Sequence, residues 1–292
     1  MKKLKGTGVA LVTPFQKEGS IDFKSFEKLI EHVIKGGVEF LVPLGTTGES
    51  VTLTKDEKNA VLDFVIEINA QRLPIVLGLG GNNTQEIIDS IKHTDFEKVD
   101  AILSVSPYYN KPTQRGIYQH YKMIASASPV PVILYNVPGR TSSNISAETT
   151  LALANDVENI IGVKEASGNL EQCMEIIKNK PKDFLVLSGD DALTLPLISL
   201  GADGVISVVA NAFPKDFSEL TRQCLEGNFD KARKLHYKLT EIISLLFIEG
   251  NPAGVKCALE ILKISPSNLR LPLVNVSKAT YNKMATLIEG YQ

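Results

Sequence analysis

The 292 residues carry 31 Lys and Arg against 33 Asp and Glu, a net charge of −2, with 43% hydrophobic and 22% charged residues. This is ordinary globular composition with ample apolar material for a large core. The basic residues are scattered, which excludes a concentrated electrostatic footprint for nucleic acid or an anionic membrane.

From Gly8 onward short apolar runs alternate with longer amphipathic ones. The runs Gly8–Val12, Phe40–Leu44, Pro74–Leu79, Ala101–Val105, Val130–Tyr135, Ile160–Val163, Phe184–Leu187 and Val205–Val209 read as eight strands buried on both faces. Between them lie helical patterns, such as Phe23, Phe26, Ile30, Val33 and Ile34 spaced by three and four. Eight strands alternating with helices predict an α/β fold, a (β/α)8 TIM barrel. An open doubly wound sheet fits less well, because no Gly-x-Gly-x-x-Gly turn follows the first run. After Asn211 the pattern is helical, over Pro214–Glu226, Phe229–Ile248, Ala253–Leu262 and Ser277–Glu289, with Gly290 suiting the end of the last helix. The first of these completes the barrel. Residues 1–226 are expected to form a catalytic barrel and 227–292 a C-terminal helical extension packed on it.

Cys173, Cys224 and Cys257 are odd in number and widely spaced, so a reducing compartment is expected. Gly6, Thr7 and Gly8 follow the basic Met1–Lys5 where a signal peptide needs an apolar run, and no stretch approaches membrane-spanning length. A cytoplasmic protein follows. His32, His93, His120 and His236 lack metal-ligand spacing, and no catalytic metal or cofactor is expected.

In such barrels chemistry sits at the C-terminal strand ends. Strand six ends in Lys164, an unusual residue to close an apolar run; it is a solvated strand end, an ion-pair partner of an acid such as Glu165, or a nucleophile. Gly45-Thr46-Thr47-Gly48 after strand two is a tight turn or a carboxylate cradle of amides and hydroxyls. Tyr135 caps the core or moves a proton, and Arg140 is a solvated charge or a bidentate carboxylate ligand. Tyr108 and Tyr109 form a loop pair, and Asp190-Asp191 suits a helix N-terminus better than a cation. A lysine, a tyrosine, hydroxyls, a cradle and an arginine at one barrel mouth together suit a Schiff-base enzyme for a small keto acid. Partial desolvation at the mouth would favour the neutral amine that such chemistry needs.

Gly45–Ser50, Pro107–Asn110, Tyr135–Thr141, Gly162–Gly168 and Gly204–Ser207 resemble the dihydrodipicolinate synthase family of the pyruvate-dependent class I aldolases, over essentially the whole chain. The resemblance implies condensation of pyruvate with L-aspartate 4-semialdehyde in diaminopimelate and lysine biosynthesis, by a homotetramer built of dimers. It implies that Lys164 forms the imine and that Thr46 and Thr47 bind the pyruvate carboxylate. Gly189 and Ile206 would line the pocket, and Tyr135 would be the general acid/base. Thr46 and Tyr109 would relay protons, Tyr109 entering from a neighbouring subunit, and Arg140 would hold the semialdehyde carboxylate. Arg140 argues against the related sugar-acid enzymes, such as N-acetylneuraminate lyase. The full residue set argues against a catalytically silent keto-acid sensor. An allosteric L-lysine site is implied at Ser50, Val51, Lys55, Lys58, Asn82, Glu86 and Tyr108. Lys55 and Lys58 stand where strongly inhibited members have histidines, so weak or absent inhibition is expected.

Overall fold

A computed structural model describes residues 4–291; Met1–Lys3 of the basic N-terminal run and Gln292 lie outside the described residues. The strands are β1 (Gly6–Ala10), β2 (Phe40–Val42), β3 (Val76–Gly78), β4 (Ala101–Val105), β5 (Val132–Asn136), β6 (Ile160–Glu165), β7 (Leu185–Ser188) and β8 (Gly204–Ser207). They lie side by side in the order β2-β1-β8-β7-β6-β5-β4-β3, parallel throughout. The ring closes between β2 and β3, where Leu41 bridges Ile75 and the Gly78 amide donates to the Pro43 carbonyl at 2.9 Å. The predicted (β/α)8 barrel is therefore present.

The connecting helices are α1 (Phe23–Lys35), α2 (Lys55–Asn69), α3 (Thr84–Lys92), α4 (Gln114–Ala127), the short α5 (Pro138–Thr141) with α6 (Ala147–Asp156), α7 (Leu170–Asn179), α8 (Thr194–Ser199) and α9 (Pro214–Leu225). Local signals set their starts. The Asp22 carboxylate accepts from the Ser25 amide at the head of α1, and Thr54 with Glu57 forms a capping box on α2. Helix α1 then buries Phe26, Leu29, Ile30 and Val33 on one stripe.

Several strand limits differ from the sequence expectation, for identifiable reasons. Strand β1 begins earlier than the Gly8–Val12 run, because Gly6 and Thr7 already pair with Gly204 and Val205, and it ends earlier, the Val12 amide leaving the ladder for the Asn211 side chain at 3.2 Å. Strand β5 starts after Pro131, which has no amide to donate. Strand β8 stops at Ser207, since the amides of Val208 and Val209 are both taken by the Asp191 carboxylate at 3.0 Å. The last helix runs through Gly290 to Tyr291.

The strand faces sort into two sets. Phe40, Val42, Val76, Leu103, Ile133, Leu187 and Ile206 fill the barrel interior, joined by Leu4. The opposite faces pack under the helices. Strand β6 carries an irregularity that matters below. Val132 pairs with Ile160 but Ile133 pairs with Gly162, so Ile161 is an extra residue. A bulge of one residue reverses the in–out phase of everything after it. Ile161 and Lys164 consequently share the interior, while Val163 packs outward.

Beyond α9 come α10 (Phe229–Phe247), α11 (Ala253–Ile261) and α12 (Lys278–Tyr291). Their Leu239, Ile242, Leu246, Val255, Leu259, Met284 and Ile288 belong to the same apolar cluster as Val9, Leu11, Phe26 and Phe217. Each such side chain contributes roughly 1.5–3 kcal/mol on burial, and these helices pack on the barrel through it. Among the described residues no helix is long and apolar enough to cross a membrane.

Candidate active site

Lys164 lies on β6 directly opposite Tyr135 on β5; Tyr135 faces inward in phase with Ile133, and the β6 bulge turns Lys164 to the same side. The lysine is only 5% exposed, and its Nζ stands 4.3 Å from the centre of the Tyr135 ring. Among the described residues no carboxylate lies within ion-pair distance of it. Neither structural reading of this lysine survives, because it is neither solvated nor paired. Glu165 points to the other side of the strand. There its carboxylate accepts from Asn136 Nδ2 at 3.1 Å, the Ser167 amide at 2.8 Å and Gln172 Nε2 at 2.9 Å. Directly behind the Tyr135–Lys164 pair there is thus a second pair, Asn136–Glu165, locking the two strand ends together.

Gly189 at the end of β7 completes this corner. Its amide donates to the Glu165 carbonyl at 2.7 Å, and a Cβ there would sit 3.1 Å from Lys164 Cε and 2.6 Å from Ala166 Cβ. Only glycine leaves the lysine free to extend. Ile206 on β8, 1% exposed, lines the same interior.

Residues 45–49 form a short 3-10 turn rather than a plain loop. Gly48 and Glu49 donate to Gly45 and Thr46 within it, which leaves the amides of Thr46 and Thr47 open. Thr46 is exposed; Thr47 is buried, and its Oγ1 accepts from Asn251 Nδ2 at 2.9 Å. Asn251 also meets Arg140, whose Nη2 reaches its carbonyl at 3.5 Å. Arg140 is exposed on α5, one turn beyond Tyr135. The segment leading into α11 therefore ties the turn to the arginine, a role for Asn251 that its position in a helical region gave no reason to expect.

Tyr109 is the exception. It is 89% exposed with a left-handed backbone, φ +72°, and no hydrogen bond joins its hydroxyl to Thr46 or Tyr135 among the described residues. One chain sets Lys164, Tyr135, Thr46, Thr47, Gly189, Ile206 and Arg140 at the C-terminal strand ends of one barrel, and leaves Tyr109 exposed. Tyr108 is held through its carbonyl by Asn82 Nδ2 at 3.1 Å, and Asn110 Nδ2 returns to the Asn82 carbonyl at 3.0 Å. Ser50 and Val51 occupy the next 3-10 turn, Lys55 and Lys58 the first turns of α2, and exposed Glu86 the start of α3. Burial, and then the Lys55 ammonium, push Lys58 below its ordinary range.

Asp190 caps the 3-10 turn Asp191–Leu193 through the Ala192 amide at 2.9 Å, as its sequence position suggested. Asp191 does not share that role. It is buried beneath β8 and fixes the turn after Ser207.

A family model, the dihydrodipicolinate synthetase family, matches residues 3–290. Among curated proteins, the 4-hydroxy-tetrahydrodipicolinate synthase of Flavobacterium psychrophilum is 54% identical over 97% of this chain and 97% of its own. Among solved structures, the dihydrodipicolinate synthase of Aquifex aeolicus superposes with a TM-score of 0.95 at 43% identity, covering 99% of this chain and 98% of that one. A dihydrodipicolinate synthase of Acinetobacter baumannii complexed with pyruvate superposes with a TM-score of 0.95 at 40% identity, covering 99% of both chains.

Proposed function

The chain belongs to the dihydrodipicolinate synthetase family, and from that premise we propose that it is the lyase that condenses pyruvate with L-aspartate 4-semialdehyde in diaminopimelate and lysine biosynthesis. The observation that carries the mechanism is a buried, unpaired lysine against a tyrosine ring at a barrel mouth. Lys164, as the free amine, attacks the pyruvate ketone; water leaves and an imine forms. The open amides and hydroxyls of Thr46 and Thr47 hold the pyruvate carboxylate. Tyr135 takes and returns protons during imine formation. Loss of a methyl proton gives the enamine, whose carbon bonds to the aldehyde carbon of the second substrate. Arg140 holds that substrate's carboxylate, and Gly189 and Ile206 bound the space. The product's own amine then displaces Lys164, closing the ring and restoring the free lysine.

Tyr109 serves the site of a neighbouring subunit, relaying protons with Thr46, which its exposure in one chain supports. The working form is therefore at least a dimer, and a homotetramer built of dimers is the assembly we assign. Residues 1–226 act as the catalytic barrel and 227–292 as the helical extension packed on it. Substrates are small molecules, no metal or cofactor takes part, and the setting is the cytoplasm.

The test is a coupled assay with pyruvate and the semialdehyde on wild type and Lys164→Ala, paired with borohydride trapping of pyruvate. Wild type forms a stable adduct on Lys164 and turns over, with specific activity falling on dilution to the monomer. Lys164→Ala loses the adduct and at least roughly 10³-fold of kcat while its circular dichroism is unchanged. Wild type without an adduct, or a fully active monomer, would overturn the corresponding assignment.

A further inference from the structure

Among the described residues Lys256 is the one lysine with no exposure at all. From α11 its Nζ meets Glu49 Oε1 at 2.5 Å and the Asn268 carbonyl at 2.9 Å, and it lies 4.3 Å from the centre of the Phe15 ring. The other carboxylate oxygen of Glu49 accepts from the Arg270 amide at 3.1 Å. Glu49 closes the Gly45–Glu49 turn, and its backbone is left-handed, φ +52°, as is that of Leu44 at φ +60° just before the turn. Side chains other than glycine are strained there and persist only where their surroundings hold them.

A buried ion pair is a poor source of stability, because desolvation offsets the attraction and two apolar residues of similar size often serve as well. Burial, opposed by Glu49 and joined by the nearby Arg270 charge, pulls Lys256 down to about 8. What the pair supplies is placement. The same helix entry grips the turn at a second point, through Asn251 and Thr47.

We infer that Lys256 is a positioning residue for pyruvate binding: through Glu49 it fixes the strained end of the Gly45–Glu49 turn, and so the geometry of the amides and hydroxyls that receive the carboxylate. This rests on the reading of that turn as the carboxylate site. The helical extension then takes part in substrate recognition without touching substrate.

The experiment compares wild type, Lys256→Met, the double variant Glu49→Leu/Lys256→Met, and Thr47→Ala. It reads Tm, kcat, KM for pyruvate, and the pyruvate concentration that half-saturates the borohydride-trapped Lys164 adduct. The single Lys256→Met strands a buried carboxylate and lowers Tm by roughly 5–10 °C; the double variant recovers most of that. Both raise half-saturating pyruvate by about tenfold or more, with kcat at saturation far less affected. A stable double variant with wild-type pyruvate dependence overturns the inference. If the double variant does not fold, Glu49→Asp draws the carboxylate back from Nζ with its charge kept, and an unmoved pyruvate dependence there is equally fatal. Thr47→Ala separates the two claims. If it leaves pyruvate dependence unchanged, the carboxylate-site reading fails; if it raises it while the Glu49 and Lys256 variants do not, only the positioning role fails.

Discussion

Asp191 is held in the core by a carboxylate that two backbone amides grip and burial opposes. Burial pushes its carboxyl up to about 6, against the relief given by the Ser207 hydroxyl and those amides. An unfolded aspartate titrates near about 3.9. Between about 4 and about 6 the folded chain therefore binds more protons through this group than the unfolded chain, and this contribution to stability grows as pH falls. Asp191→Asn keeps an acceptor for the two amides and removes the titration. Urea unfolding of both proteins should show the variant gaining on wild type as pH rises from about 4 to about 7, by at most roughly 3 kcal/mol; parallel curves would refute this. Lys164, Tyr135, Thr46, Thr47 and Arg140 were legible as residue types at strand ends. Asn251 and Lys256 were not, because their partners Thr47 and Glu49 lie 204 and 207 residues away; Glu165 and Asp191 were visible as acids, but which backbone and side-chain groups they grip was not.

The eight strands and their order were readable from alternating apolar runs, since a parallel strand covered on both faces must be apolar throughout. That continuity also hides the phase. Nothing in Ile160-Ile161-Gly162-Val163 says which residue is the extra one, so the sequence could not say that Lys164, and not Val163, faces inward. Strand limits shifted where a side chain captured a ladder amide, which no propensity reports. Helix α2 carries a separate consequence. Lys58, half-buried and crowded by Lys55, already bears its charge at a cost, and a third ammonium beside the pair is disfavoured. Sub-millimolar L-lysine should leave the initial rate of condensation unchanged, and measurable inhibition in that range would refute this.

At the scale of the whole chain, one apolar cluster runs from β1 and α1 into α10, α11 and α12. Arg270 adds a polar seam to it, donating to the Gly19 and Thr52 carbonyls and pairing with Glu57, which it holds down to about 2. The barrel's first quarter is thereby fastened by the chain's last. The Gly45–Glu49 turn has a consequence in time as well as in space. It is synthesised early, yet Asn251, Lys256 and Arg270, which give it shape, emerge about 200 residues later. In refolding, local helices and neighbouring strands should form before contacts of such long sequence separation. Far-ultraviolet dichroism is therefore expected to recover ahead of the capacity of Lys164 to be trapped with pyruvate, so that the chain passes through a stage that has its barrel and cannot yet recognise its substrate; simultaneous recovery of the two signals would refute this order.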